Sequence, residues 1–116
     1  MIPSLDVIVV PVRDLAAAKT LYTTVLGVPP SVDSEWYVGF DAGGRHVGLD
    51  PNGHASGMTG PVGFWRVPDI RAAVETLVAA GATVRQEVRA VGGGREVATL
   101  ADADGNPIGL MQDGAA

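Results

Sequence analysis

Short apolar runs and segments with apolar residues at helical spacing alternate along the chain and predict its elements. The first run, residues 5–10, is rich in β-branched residues and predicts a strand. Asp14 follows it and is a natural N-cap for a helix over residues 15–26, which Gly27 should end. Three more strands are predicted over residues 31–34, 35–41 and 45–50.

The same order of elements is predicted again after a Gly-rich segment at residues 51–60. A strand over 61–67 precedes Asp69, which should cap a helix over 70–80. The remaining strands are predicted over residues 83–89, 95–101 and 107–112. From Asp113 onward we expect a frayed tail.

Three pairs of matching segments connect the two halves and indicate an internal duplication. They are residues 12–15 with 67–70, 26–27 with 80–81, and 47–49 with 108–110. The repeated unit reads βαβββ, and one such sheet with a single helix cannot bury both of its faces. We therefore expect one α+β domain in which two modules form curled mixed sheets around a cavity, with the helices on the outer faces. Module 1 spans about 4–50, a linker 51–60, and module 2 about 61–113.

Composition restricts the functional classes. The 116 residues carry a formal net charge of −5, and the eight Lys and Arg form no cluster, so we expect no nucleic-acid partner. The chain has no cysteine, which excludes disulfides, thiolate metal sites and cysteine nucleophiles. No run is long enough to span a bilayer and the N-terminus has no basic region, so we expect a cytoplasmic protein without a membrane partner.

Five segments in this order resemble the vicinal oxygen chelate superfamily, which includes glyoxalases, bleomycin resistance proteins and dioxygenases. They are residues 7–15, Tyr22, residues 26–27, residues 62–70, and residues 102–110, the last of which is similar to a "DPDGN-x-x-E-L" ending. The resemblance covers nearly the whole chain and implies the duplicated fold and a homodimer. Many members bind a divalent metal through four strand positions, usually His or Gln, Glu, His and Glu, and the metal acts as a Lewis acid.

The resemblance places those four metal-binding positions at Val7, Gly48, Val62 and Gly109. None of these side chains has a lone pair to donate to a metal, so we expect no metal and no other cofactor. His46 and Asp50 lie two residues either side of Gly48 and share its strand face, so they are candidates for a displaced site. We favour the alternative, in which His46 is a rim residue and Asp50 forms a turn.

Strand alternation then predicts the residues that line the cavity. Trp36 either belongs to the core or covers the ligand, since it and Tyr37 cannot both face inward. Arg66 either meets an anionic group of the ligand or extends along its own stem to water. The candidate ligand-binding residues are Val9, Trp36, His46, Asp50, Phe64, Arg66 and Met111.

Three functional classes follow from this site. The leading hypothesis is a metal-independent protein that binds a small molecule, such as an aromatic or antibiotic-like compound. The alternative is a lyase-, isomerase- or dioxygenase-type enzyme with acid–base groups among Glu35, His46, Asp50 and Glu96. A third is a dimeric interaction module whose cavity its own side chains fill. The sequence leaves open whether the chain is an enzyme, which ligand it takes, and whether the cavity forms within one chain or across a dimer.

Overall fold

The computed structural model describes residues 3–114 and contains two successive βαβββ units. Its elements are β1 (Ser4–Pro11), α1 (Leu15–Leu26), β2 (Val32–Asp33), β3 (Val38–Ala42), β4 (Arg45–Asp50), β5 (Val62–Arg66), α2 (Ile70–Ala79), β6 (Thr83–Gly92), β7 (Arg95–Ala101) and β8 (Pro107–Gln112). The predicted α+β class and the repeated order of elements are confirmed. The strand predicted from residue 35 is shorter than expected, because β3 begins only at Val38.

The chain packs as two compact units. The first module is Asp6–Val62, and the second module begins at Gly63 and includes the start of β1 up to Leu5. In the first module the strand order is β2-β3-β4-β1, with β4 parallel to β1 and antiparallel to β3. In the second module it is β5-β8-β7-β6, with β8 parallel to β5 and antiparallel to β7. The two modules therefore repeat one topology.

Helix α1 has the local chemistry that its sequence predicts. The Asp14 carboxylate accepts from the amide of Ala17 at 3.0 Å, which satisfies an open donor of the first turn. Gly27 ends the helix in the left-handed conformation (φ 70°), and its amide donates to the carbonyl of Thr23. One face of α1 packs on a core of Val38, Phe40 and Leu49.

Helix α2 packs on the second sheet in the same way. Asp69 accepts from the amide of Ala72 at 3.1 Å, and Ile70 at the start of the helix is fully buried. Ile70 joins Val67, Ala98, Leu100 and Leu110 in one cluster. Neither helix, of 12 and 10 residues, approaches the ~20 apolar residues needed to cross a membrane, so residues 3–114 contain no membrane-spanning helix.

These two clusters identify the faces of the sheets. Leu49 and Leu110 point toward the helices, so Gly48 and Gly109, their neighbours in the strands, direct any side chain to the opposite face. We call this the non-helical face of each module.

The expectation of a frayed tail is wrong for Asp113. Its carboxylate forms ion pairs with Arg66 and, at 3.0 Å, with Arg95. These contacts anchor the residue that follows β8. Ala115 and Ala116 lie outside the described residues.

Candidate functional site

The four positions at which the resemblance implies metal ligands have no donor side chains. Val7 and Val62 are buried aliphatic residues, and Gly48 and Gly109 are buried glycines. Within residues 3–114, no group of three or more His, Cys, Asp or Glu is placed to hold a metal ion. Divalent metals need imidazole, carboxylate or thiolate ligands, so the residues present do not fit the metal site of the superfamily.

An aromatic ring lies where a side chain of residue 48 would be. A Cβ atom added to Gly48 would collide with the Tyr37 hydroxyl and lie 2.6 Å from Tyr37 Cζ. Gly39 pairs with Gly48 across β3 and β4, and its Cβ would lie 2.6 Å from His46 Cε1. Because neither glycine has a side chain, the rings of Tyr37 and His46 lie directly against the backbone of β3 and β4.

The second module repeats this arrangement with a different aromatic residue. A Cβ atom on Gly109 would lie 2.7 Å from Phe64 Cδ2 and 2.7 Å from the carbonyl oxygen of Gly63. Phe64 and Gly109 are partners in the parallel pair of β5 and β8. In both modules, therefore, the space that a ligating side chain would need is filled by an aromatic ring.

Tyr37, His46 and Asp41 form a continuous hydrogen-bonded chain on the non-helical face of the first module. The Tyr37 hydroxyl lies 2.7 Å from His46 Nε2, and His46 Nδ1 lies 2.8 Å from Asp41 Oδ1. The two rings are nearly parallel, with an angle of 8° between their planes. Hydrogen bonds from His46 first, and from Ser31 second, lower the pKa of the Asp41 carboxyl below its ordinary value.

The hairpin of β3 and β4 positions the His46–Asp41 pair. The turn at Gly43 and Gly44 sets Ala42 opposite Arg45, and therefore Asp41 opposite His46 on the same face. Asp41 remains largely exposed, whereas His46 is three-quarters buried.

Tyr37 is positioned by a turn that Ser34 organises. The Ser34 hydroxyl accepts from the amides of Trp36 and Tyr37, at 3.2 and 3.1 Å. It also lies 3.1 Å from the carbonyl oxygen of Tyr37, which in addition accepts from the Ser34 amide. These bonds fix the backbone from which the Tyr37 ring extends over Gly48.

The other acid–base candidates do not join His46. Asp50 accepts from the amide of Asn52 at 2.8 Å and so has the turn-forming role. Glu96 pairs with Arg71 at 3.1 Å, and Glu35 is exposed in the turn before β3. The partner of His46 is instead Asp41, which was not among the predicted site residues.

The remaining candidate ligand-binding residues have different environments. Phe64 and Val9 are half-buried, whereas Met111 is buried, with 1% of its surface exposed. Trp36 is 80% exposed, on the turn that precedes β3. The guanidinium of Arg66 forms an ion pair with Asp113, which neither of its two predicted roles included. No contact in the structure tests ligand binding by these residues, which therefore stays a prediction.

Known proteins resemble the chain in sequence pattern and in fold. The family model described as the Glyoxalase/Bleomycin resistance protein/Dioxygenase superfamily matches residues 4–110. No curated protein matches the chain.

Three solved structures illustrate the likeness in fold. A hypothetical protein from Bacillus halodurans C-125 aligns with a TM-score of 0.79 and 14% identity, over 98% of this chain and 96% of that one. A superfamily member from Vibrio splendidus 12B01 gives 0.71 and 17%, over 92% and 96% of the two chains. Methylmalonyl-CoA epimerase from Mycobacterium tuberculosis gives 0.69 and 20%, over 96% and 88%. At these identities the likeness establishes the fold alone.

Proposed function

Because the chain belongs to the glyoxalase/bleomycin resistance protein/dioxygenase superfamily, we propose that it is a metal-independent member that binds a small aromatic or antibiotic-like compound. One observation carries this proposal. Gly48 and Gly109, which replace two metal ligands, are each covered by an aromatic ring, Tyr37 in one module and Phe64 in the other. Each module therefore has aromatic surface where a metal-binding member has a donor atom.

The chemistry of these rings supports a planar, partly apolar ligand. Tyr37 and Phe64 are half-buried residues, not closed-off core residues. Aromatic side chains bind flat ligands by offset or edge-to-face packing, which adds about 0.5–1.5 kcal/mol to the burial of area. The hydroxyl of Tyr37 and the imidazole of His46 supply polar atoms beside the first ring, as in a pocket with a few convergent polar groups.

A thermal-shift experiment with a matched pair of probes tests this proposal. We expect salicylate to raise the unfolding midpoint progressively with concentration, because a ligand that binds the native state stabilises it by mass action. Cyclohexanecarboxylate, which has a carboxylate but no aromatic ring, should give a smaller shift at each concentration. EDTA should leave the salicylate shift unchanged, and a shift that appears only with added zinc, nickel or manganese would overturn metal-independent binding.

Two neighbouring aromatic residues provide matched variants. Phe64→Ala removes the ring over Gly109, whereas Trp65→Ala removes the next residue of β5, which points to the other face of the sheet. We expect the salicylate shift, measured against each variant's own midpoint without ligand, to fall in the first and persist in the second. Equal salicylate shifts in both variants would show that Phe64 does not contribute to binding.

We propose further that the protein is a cytoplasmic homodimer. Leu21 and Val25 support an interface, because they lie one turn apart on α1 and are 60% and 66% exposed. Sedimentation equilibrium should give a mass near twice 11.9 kDa. A mass of 11.9 kDa at all concentrations would contradict the dimer.

A further inference from the structure

The chain of Tyr37, His46 and Asp41 has the order of groups found in nucleophilic triads. A hydroxyl lies within hydrogen-bond distance of an imidazole nitrogen, and a carboxylate holds the other nitrogen, at 2.7 and 2.8 Å. These distances meet the geometric requirement for a nucleophile, a general base and a residue that orients the base. Ligand binding alone does not require this order.

The direction of the hydrogen bonds follows from the chemistry of the three groups. Asp41 is largely exposed and is ionised at neutral pH, so its carboxylate can only accept a hydrogen bond. It therefore favours the tautomer of His46 with the proton on Nδ1. In the neutral imidazole Nε2 is then an acceptor, and the Tyr37 hydroxyl must donate to it. His46 is thereby oriented to take the phenolic proton.

We propose that Tyr37 is a catalytic nucleophile toward small aryl esters, with His46 as its general base and Asp41 as the residue that positions His46. Tyr37 Oη attacks the ester carbonyl carbon as its proton passes to His46 Nε2. The bond from that carbon to the aryl oxygen breaks, and the departing phenolate takes the proton from His46. The products are a Tyr37 acyl ester and a phenol, with His46 neutral again.

The surroundings of Tyr37 Oη are consistent with this step. Gly48 lies beneath the hydroxyl and Gly39 beneath the imidazole, so no side chain at these two positions displaces the rings from their hydrogen-bonding positions. The Ser34 turn fixes the backbone of Tyr37, which limits the loss of conformational freedom when the hydroxyl attacks. An aromatic leaving group also matches the aromatic surface proposed for ligand binding.

The test uses p-nitrophenyl acetate as the probe and mass spectrometry of peptides as the measurement. The sequence has only two tyrosines, so Tyr22, a partly buried residue of α1 that packs against the core of the first module, is an internal reference for non-specific acetylation. We expect acetyl to accumulate on Tyr37 with release of p-nitrophenol, and to do so faster than on Tyr22. Acetylation of Tyr37 no faster than that of free N-acetyltyrosinamide would overturn the proposal.

Histidine variants separate general-base assistance from simple exposure of Tyr37. His46→Ala should lower the rate at Tyr37 by about 100-fold, the lower range for a positioned general base. His54→Ala is the matched control, because His54 is the other histidine of the sequence and lies in the turn after β4. It should leave the rate unchanged. A rate that is unaffected by His46→Ala, or reduced equally by both variants, would overturn the role of His46.

Asp41 variants provide a second test if His46→Ala fails to fold. Asp41 is largely exposed, so its substitution should not prevent folding. Asp41→Asn should lower the acetylation rate at a temperature where circular dichroism shows that the variant remains folded, and Asp41→Glu should restore part of the rate. A loss of rate that Glu does not restore would contradict the positioning role.

This activity goes beyond the proposed binding role, and the two can fail separately. Acetylation is measured without salicylate, and the salicylate shift is measured without an ester. If the protein binds salicylate but Tyr37 is not acetylated, the nucleophile proposal fails and the binding proposal stands. If Tyr37 is acetylated but salicylate gives no shift, the binding proposal fails and the nucleophile proposal stands.

Discussion

Gly39 and Gly48 are cross-strand partners on β3 and β4, and two aromatic rings occupy the space above them. The ring of His46 lies over Gly39, and that of Tyr37 over Gly48. The absence of side chains at both positions is therefore a requirement of the Tyr37–His46 pair. A donor side chain cannot be restored at residue 48 unless Tyr37 moves.

This relationship predicts the effect of a methyl group at residue 48. Gly48→Ala should lower the free energy of unfolding by about 1–3 kcal/mol, because the new Cβ would overlap the Tyr37 hydroxyl. Urea denaturation should show that the loss shrinks in a Tyr37→Ala background, where the overlapping ring is absent. Gly60→Ala is the control, because nothing lies within 4 Å of its Cβ and its φ is not positive, so we expect a change within about 0.5 kcal/mol. The same loss in both backgrounds would show that Tyr37 does not lie over Gly48.

Gly109→Ala should behave differently, although Gly109 occupies the equivalent position in the second module. Its Cβ would meet the Phe64 ring and also the carbonyl oxygen of Gly63, at 2.7 Å, and a backbone atom cannot rotate away. We expect a loss of about 3 kcal/mol in urea denaturation, and Phe64→Ala should relieve only a small part of it. Full relief by Phe64→Ala would indicate that the ring, and not the backbone of β5, is the barrier.

The sequence predicted the helices and most strands because their determinants are local. Asp14 and Asp69 cap helices through amides three residues away, and Gly27 ends α1 through its own backbone conformation. The resemblance added the four metal-binding positions, and the absence of donors there was visible in the residue types alone. None of these inferences required knowledge of which strands are neighbours.

The hydrogen-bonded chain was missed because it depends on contacts between elements. One part was accessible from the sequence. The two-residue turn at Gly43 and Gly44 implies that Asp41 faces His46, which would have identified Asp41 in place of Asp50. The position of the Tyr37 ring had no such signal. It depends on the Ser34 turn and on the space above Gly48, which are properties of the folded chain.

The acidity of Asp41 should depend on His46. The hydrogen bond from His46 is the main cause that lowers the pKa of Asp41 from its ordinary value of 3.8. In His46→Ala, carboxyl carbon shifts followed by NMR should therefore show the Asp41 pKa moving up toward 3.8. Asp102 is the internal control, because its pKa is lowered mainly by the Asn106 side chain and should not change.

The lowered pKa of Asp41 also determines how the free energy of unfolding depends on pH. A carboxyl whose pKa is lowered in the folded state stabilises the protein above its ordinary pKa, and this contribution disappears as the pH falls through the folded value. The contribution of the Asp41 carboxylate should therefore be present at neutral pH and lost below about pH 4. An Asp41 pKa that His46→Ala leaves unchanged would contradict the hydrogen bond between them.

Gln112 at the end of β8 should contribute to the start of α2. Its side-chain oxygen accepts from the amide of Ile70 at 2.7 Å, so the first turn has a second acceptor beside Asp69. Gln112→Ala should lower the free energy of unfolding by about 1–2 kcal/mol, because the partly buried Ile70 amide loses its acceptor. Gln112→Glu keeps an acceptor oxygen and places a negative charge near a helix N-terminus, which is favourable, so it should retain most of the stability at neutral pH. Urea denaturation of the two variants measures this difference, and an equal loss in both would show that the hydrogen bond to Ile70 does not stabilise the helix.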